Sequence, residues 1–262
     1  CTVTCGSSVD EKTTLVTVPP TGSADFDGSN DKVTLGGSNT DYNFLTSGSF
    51  SIACWVYPDA ISNNNTFFDN TNGSASANGL VIRWEDSEMK IVMMFGKSGG
   101  GDGTVKSDGN EMATGEWQHL CFTFDGSTAK IYRNGTEIKS GSYTGYSGTA
   151  NAVPALGFTI SGGDSAYNGK VDDFLITNDI LTTTEITALA SGTAVANVSP
   201  AIGNQKIHYT FTTNFNDSAP SGLGNGTAYQ TTIVSSGKQF NNTSNLPENT
   251  LFEETDTYKT YW

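Results

Sequence analysis

The stretch GEWQHLCFTFDGSTAKIYRNG, residues 115–135, decides the fold class of this chain. Two strand-like runs in it flank the turn residues Asp125-Gly126. The pair Asn134-Gly135 follows, and it favours a type I′ turn because both turn positions need positive φ. This part of the chain therefore predicts consecutive antiparallel hairpins rather than helices.

The same pattern of short apolar runs and turn residues extends to both sides of this stretch. The segment SFSIACWVYP (49–58) alternates apolar residues from Phe50 to Val56 on one strand face, and we expect the strand to end at Pro58. At least ten strands are predicted along the chain. The main runs are 13–18, 32–35, 49–57, 66–69, 79–84, 89–95, 116–124, 129–132, 155–160, 170–177 and 207–211.

One helix interrupts the series of strands. Thr182 and Glu185 have the spacing of a capping box, and Gly192 fits a helix end. These signals predict a helix over residues 183–190. Many short strands with one helix indicate an all-β protein, built as a two-sheet antiparallel sandwich or jelly roll.

The composition excludes several other classes of protein. The chain has 262 residues, with 13 Lys and Arg against 27 Asp and Glu, and a net charge of −14. An acidic chain of this kind does not bind nucleic acid through a basic face. No stretch of about 18 continuous apolar residues occurs, so we expect no membrane span. The hydrophobic share of 35% is enough for a folded core.

Cysteine usage and composition together indicate the compartment. Four cysteines occur in an acidic chain rich in threonine, asparagine and glycine. This combination favours an oxidising exterior, so we expect an extracellular, cell-surface or virion-surface location.

The chain divides into three predicted segments. Residues 1–22 form an irregular lead, residues 23–194 form the sandwich, and residues 195–262 form an extension. The extension has too few apolar residues for a core of its own. It would pack on the sandwich, on another subunit or on sequence beyond it. We expect its deletion to impair assembly more than folding.

Five blocks in order give the chain a family resemblance. It resembles laminin-G-like domains of the concanavalin A-like jelly roll, which implies one concave and one convex sheet packed face to face. Residues 207–229 resemble the opening of a second domain of the same kind, and residues 246–262 are similar to segments of virion and phage-tail proteins. The five blocks are FDGSNDKVTL (26–35), SFSIACWVYP (49–58), GEWQHLCFTFDGSTAKIYRNG (115–135), ALGFTISGG (155–163) and NGKVDDFLITNDILTTTEITAL (168–189).

The resemblance also implies a disulfide. In pentraxins, a branch of this superfamily, two cysteines at matching strand positions are paired, which implies a bond between Cys54 and Cys121. The alternative is two buried free thiols. If Cys54 and Cys121 are paired, Cys1 and Cys5 would be left to pair with each other or with another chain.

Calcium is the cation that the acidic loops would fit, because it takes oxygen ligands from carboxylates, carbonyls and amides. The first predicted site is a structural one that combines Asp25 and Asp27 with Asp172 and Asp173. The alternative is that the aspartates of the first turn bond their own backbone, while the later two form a satisfied polar pair at a strand end.

A second, ligand-binding calcium site would join Asn78 with Asp164, at loops that match those holding calcium in pentraxins. The matching acidic loop is only partly reproduced in this chain, as Ser161-Gly162-Gly163-Asp164.

Exposed aromatic residues would bind sugars. Tyr143, Tyr146 and Tyr167 lie in glycine-rich loops and are the candidates for glycan contact, with ordinary surface placement as the alternative. The family resemblance implies that Trp55 and Trp117 are packed.

The predicted function is a non-enzymatic surface module that acts in assembly, in glycan recognition or in both, with other protein subunits and glycans as partners. The alternative is a concanavalin A-like glycan hydrolase or lyase. Such an enzyme needs two carboxylates facing one groove. The nearest acidic run, 85–88, falls in a predicted turn. His208 has no sequence pattern that indicates a catalytic triad.

Overall fold

The computed structural model describes residues 22–61, 65–71, 77–85, 88–96, 103–144, 148–157 and 166–238. Its strands form two antiparallel sheets that pack face to face, which confirms the predicted all-β sandwich. The strands are β1 (Ser23–Asp27), β2 (Lys32–Thr34), β3 (Phe50–Ala60), β4 (Asn65–Asp69), β5 (Gly79–Glu85), β6 (Lys90–Gly96), β7 (Gly103–Lys106), β8 (Gln118–Phe124), β9 (Thr128–Arg133), β10 (Thr136–Ser142), β11 (Ala155–Leu156), β12 (Asn168–Thr177), β13 (Gln205–Tyr209), β14 (Thr227–Tyr229) and β15 (Thr232–Val234).

The eight-stranded sheet has the order β10-β9-β8-β3-β12-β1-β15, with β13 also paired to β12. The seven-stranded sheet has the order β14-β2-β11-β4-β5-β6-β7. The helices are α1 (Phe44–Ser47) and α2 (Thr183–Ala190), and short 3₁₀ turns occupy Asn39–Tyr42 and Val195–Asn197. No helix in the described part of the chain is long and apolar enough to cross a membrane.

The core lies between the inner faces of the two sheets. In β3 the alternate residues from Phe50 to Val56 are fully buried there, as the sequence predicts. Aromatic rings fill the centre, where Phe67 lies 5.3 Å from Trp84 and 5.7 Å from Tyr167 between ring centroids. A ring pair at this separation contributes a favourable interaction beyond the free energy gained by burying its apolar surface.

Strand β3 continues through Pro58, although the sequence predicts its end there. The pairing with β12 shifts register at this point, so that Pro58 lies opposite Gly169 and Asp59 is left without an opposite residue. A proline is tolerated at such a bulge because regular ladder hydrogen bonds are already interrupted.

The helix α2 has the predicted bounds and both hydrogen bonds of the predicted capping box. It covers part of the outer face of the eight-stranded sheet, where Ile186 and Leu189 pack on a second apolar cluster. The type I′ turn is also present, since Asn134 and Gly135 have φ of 49° and 82°.

The extension contributes strands to the same sandwich. β13 pairs with β12, β15 pairs with β1, and β14 pairs with β2, so the segment adds to both sheets. Ile207, Tyr209 and Phe211 are fully buried in the main core. The described part of the extension therefore packs on the sandwich. The virion-like residues 246–262 lie outside the described residues.

The predicted disulfide between Cys54 and Cys121 is wrong in this structure, where both are buried free thiols. Cys54 lies opposite Leu120, and Ala53 lies opposite Cys121. The two cysteines therefore face opposite sides of the sheet, and their Cβ atoms cannot be bridged without moving the backbone. Burial raises the pKa of both thiols. Cys1 and Cys5 lie outside the described residues.

Candidate functional site

The three tyrosines predicted to contact glycans do not form an exposed group. Tyr167 is fully buried, and its hydroxyl donates to the Lys170 carbonyl oxygen at 3.0 Å. Tyr143 is half-buried because it stacks on Phe95, with 5.2 Å between ring centroids. Tyr146 lies outside the described residues. The prediction for Tyr167 is thus wrong, because core packing takes up its ring.

The carboxylates of the first predicted calcium site have other partners. Asp172 is fully buried and accepts hydrogen bonds from the backbone N–H groups of Asp173 and Lys238, both at 2.8 Å. The carboxylate of Asp173 lies 2.6 Å from His208 Nε2. Within the described ranges, no group of three or more His, Cys, Asp or Glu could hold a metal ion. The structure therefore does not bring the four predicted carboxylates together.

The first acidic turn bonds to itself. Asp31 accepts a hydrogen bond from the Asp27 N–H at 3.0 Å, and Asp27 accepts one from the Ser29 N–H at 2.8 Å. Burial, followed by the neighbouring charges of Asp27 and Asp25, raises the pKa of Asp31. This arrangement matches the alternative to the first predicted calcium site, in which turn aspartates bond their own backbone.

The second predicted calcium site is only partly described. The carbonyl oxygen of Asn78 accepts the Asn151 N–H at 3.1 Å. Asp164 lies outside the described residues, so its position relative to Asn78 stays a prediction.

Partly exposed aromatic and charged groups form a row across the outer face of the eight-stranded sheet. The register aligns Tyr57 with Lys170, Lys170 with Asp25, and Asp25 with Thr232. Trp117, which immediately precedes β8, contacts Tyr57 at the other end. We call these five residues the outer-face row. It crosses five strands spaced about 4.8 Å apart and is therefore about 19 Å long.

Two half-buried aromatic rings form one end of the outer-face row. The ring centroids of Tyr57 and Trp117 are 5.5 Å apart, with an interplanar angle of 62°. The ammonium of Lys170 lies 5.1 Å from the Tyr57 ring centroid. Because both rings keep part of their surface open, they offer an apolar platform beside charged groups.

The charged part of the outer-face row is centred on Lys170. Its Nζ atom lies 2.7 Å from Asp59 Oδ2 and 3.5 Å from Asp25 Oδ1. Partial burial would lower the pKa of Lys170, but the hydrogen bond and charge of Asp59, together with Asp25, raise it. Lys170 is therefore a cation held between two half-exposed carboxylates.

Two backbone features build this arrangement. Asp59 is the bulged residue of β3, and bulges are a common means of redirecting a side chain. Gly169, just before Lys170, has φ of 143°, and a Cβ there would lie 2.2 Å from the Tyr57 carbonyl oxygen. Only glycine lets β12 approach β3 so closely at this point.

A second row of aromatic residues lies beside the first and is largely covered. Trp55 contacts His119 at 5.3 Å between ring centroids, and the Lys238 ammonium lies 4.6 Å from the Trp55 ring. Both Trp55 and His119 are buried. Among the described residues of this sheet face, Tyr57 and Trp117 are therefore more accessible than Trp55 and His119.

Sequence reasoning missed Tyr57, Trp117, Lys170 and Asp59 as site residues, and it expected Trp117 to be packed. The available signals were Asn168-Gly169 before Lys170, which indicates a bulge or close backbone approach, and the aromatic residues near Pro58. Those signals do not specify which residues lie opposite one another on neighbouring strands. The row depends on this register, so the sequence alone does not predict it.

Comparison of the sequence with known protein families identifies the family of this chain. A laminin G family model, described as concanavalin A-like lectin/glucanases superfamily, matches residues 27–187. The chain belongs to this superfamily. No curated protein sequence matches this concanavalin A-like chain.

Solved structures share the concanavalin A-like fold at low sequence identity. A proposed carbohydrate-binding protein from Bacteroides ovatus has a TM-score of 0.60 and 18% identity, over 85% of this chain and 62% of that protein. The chain thus spans less than two thirds of that relative. A heptameric SAP-like pentraxin from Limulus polyphemus has a TM-score of 0.56 and 15% identity, over 82% of this chain and 95% of the pentraxin.

Proposed function

We propose that this concanavalin A-like protein is a non-enzymatic extracellular or surface module that binds glycans through the outer-face row. The observation that carries the proposal is the half-exposed pair Tyr57 and Trp117 beside the Lys170–Asp59 ion pair. Apolar ring surface with a few fixed polar groups is what a carbohydrate ligand requires of its site. Membership of a superfamily that includes lectins supports this choice.

The second candidate function, a glycan hydrolase or lyase, has one observation in its favour. Asp25 and Asp59 are two carboxylates close to the same ammonium group. A glycosidase pair, however, needs one protonated carboxyl as acid and one carboxylate free to act as nucleophile or base. Lys170 lies within ion-pair distance of both carboxylates, so neither is free of a partner, and a binding role fits the geometry better than catalysis.

The test is glycan-array binding by the full chain and by Trp117→Ala. We expect the variant to lose at least tenfold in affinity, because the apolar platform loses its larger ring. Tyr229→Ala is the matched control, since Tyr229 is an exposed aromatic residue, 53% accessible, on the edge of the other sheet. An unchanged affinity in Trp117→Ala, or loss in the control alone, would contradict the proposed site.

Two further arms complete the experiment. Repeating the array with EDTA tests the predicted calcium, and loss of binding there would support a calcium-dependent site. Measuring the release of new reducing ends from the bound glycan tests the enzyme alternative. Turnover that is abolished by Asp59→Asn would favour the hydrolase over the binding module.

A further inference from the structure

The charges around the outer-face row are unbalanced. Asp25 and Asp59 both contact Lys170, and Asp27 lies two residues from Asp25 on the same face of β1. Two carboxylates thus engage one ammonium, and a third carboxylate lies farther along the same strand face. The whole chain has the same sign, with a net charge of −14.

Lys170 is not available as a free anion-binding group. Its ammonium already lies within ion-pair distance of two carboxylates and close to the face of the Tyr57 ring. An incoming sulfate or carboxylate would therefore meet Asp25 and Asp59 before it could bind Lys170. Like charges brought together in this way disfavour binding of the wrong partner.

A hydroxyl group has no such conflict, because it can donate to a carboxylate and accept from an ammonium. Neighbouring hydroxyls on a sugar ring could engage Asp59 and Lys170 together. Thr232, exposed at the far end of the row, offers one more hydroxyl. The ring of Trp117 would contact the apolar face of the sugar.

We infer that the outer-face row selects neutral, hydroxyl-rich glycans and rejects sulfated or carboxylated ones. This inference rests on the proposed glycan-binding function and adds the chemical class of the ligand. Its physical basis is the pair of carboxylates that already engage the one lysine of the row.

The experiment compares dextran, galactan, xylan and mannan with the sulfated form of each, using the full chain. We expect at least one unmodified polysaccharide to bind, and its sulfated form to bind at least tenfold more weakly at low salt. The difference should narrow in high salt, because repulsion between exposed charges is screened.

Two variants separate site charge from net charge. Asp59→Asn should raise the relative affinity for the sulfated form by at least threefold, a gain that misfolding would not produce. Asp108→Asn is the matched control, because Asp108 also pairs with a lysine, Lys139, at 2.5 Å but lies elsewhere. The control removes the same charge and should leave the ratio unchanged.

The outcomes distinguish failure of the charge inference from failure of the proposed glycan-binding function. If sulfated forms bind as well as neutral ones, and Trp117→Ala abolishes both, the charge inference is overturned while glycan binding at this site stands. If Asp108→Asn changes the ratio as much as Asp59→Asn, overall charge rather than the row sets selectivity. If no polysaccharide of either form binds, the proposed function and this inference both fail.

Discussion

His119 shows how one buried residue links the fold to pH. Its ring lies against Trp55, and its Nδ1 atom is buried with no hydrogen-bond partner among the residues that the structure describes. Burial lowers the pKa of His119 to about 3 from a usual value of 6.5. The folded protein therefore holds this imidazole in the neutral form, as expected of a strand histidine near the core.

This pKa predicts a loss of stability in mild acid. Because the folded-state pKa is below the unfolded-state value, the stability that His119 contributes is present above pH about 6.5 and is lost as the pH falls toward 3. Linkage gives a loss of about 2 kcal/mol between pH 7 and pH 5. Urea unfolding at both pH values should show this loss as a difference between the wild-type chain and His119→Gln. A difference that is equal at pH 7 and pH 5 would contradict it.

At the scale of the elements, the strands of the extension matter most. β13 contributes Ile207 to the core opposite Ile176. β14 adds a strand to the seven-stranded sheet, and β15 adds one to the eight-stranded sheet. The segment therefore contributes to the core and to both sheets of the sandwich. The effect of its deletion on assembly stays a prediction.

Ile207→Ala should lower the free energy of unfolding by about 2–5 kcal/mol, since it removes a fully buried side chain and leaves a cavity. Denaturant unfolding of the variant measures the loss. Thr213→Ala, an exposed position in the same segment, is the control and should change little. A core variant as stable as the control would mean that β13 is dispensable.

Local sequence patterns account for some elements and not for others. The capping box at Thr182 and the pair Asn134-Gly135 specify α2 and a hairpin turn, because their causes lie within a few residues. The pairing of β13 with β12 joins distant residues, and no local pattern encodes it. Tyr167 was misplaced for the same reason, since its burial depends on Phe67 and Trp84 from the opposite sheet.

At the scale of the whole molecule, charge governs how copies meet. The family resemblance and the sandwich were predictable, because five sequence blocks in the same order identify the fold more reliably than any single predicted strand does. The outer-face row was not, because it depends on the register of five strands. A net charge of −14 favours repulsion between copies in dilute salt, since like-charged surfaces repel.

The role in a surface assembly that the sequence predicts implies that the full chain associates as salt rises. Repulsion extends about 30 Å at 0.01 M salt and only about 8 Å at 0.15 M. Sedimentation equilibrium across this range should show a larger mass at the higher salt concentration. A monomer at every salt concentration would contradict the assembly role and leave the glycan-binding role intact.

The contribution of the extension to both sheets has a consequence for biosynthesis. β1 near the start of the described chain gains its outer neighbour only when β15 has been made, about 200 residues later. At about 5–20 residues per second, the ribosome takes on the order of 10 to 40 s to cover that distance. During this interval the β1 edge of the nascent chain lacks its β15 partner. Because this strand pairing is long-range and forms late, we expect slow folding and a need for chaperones.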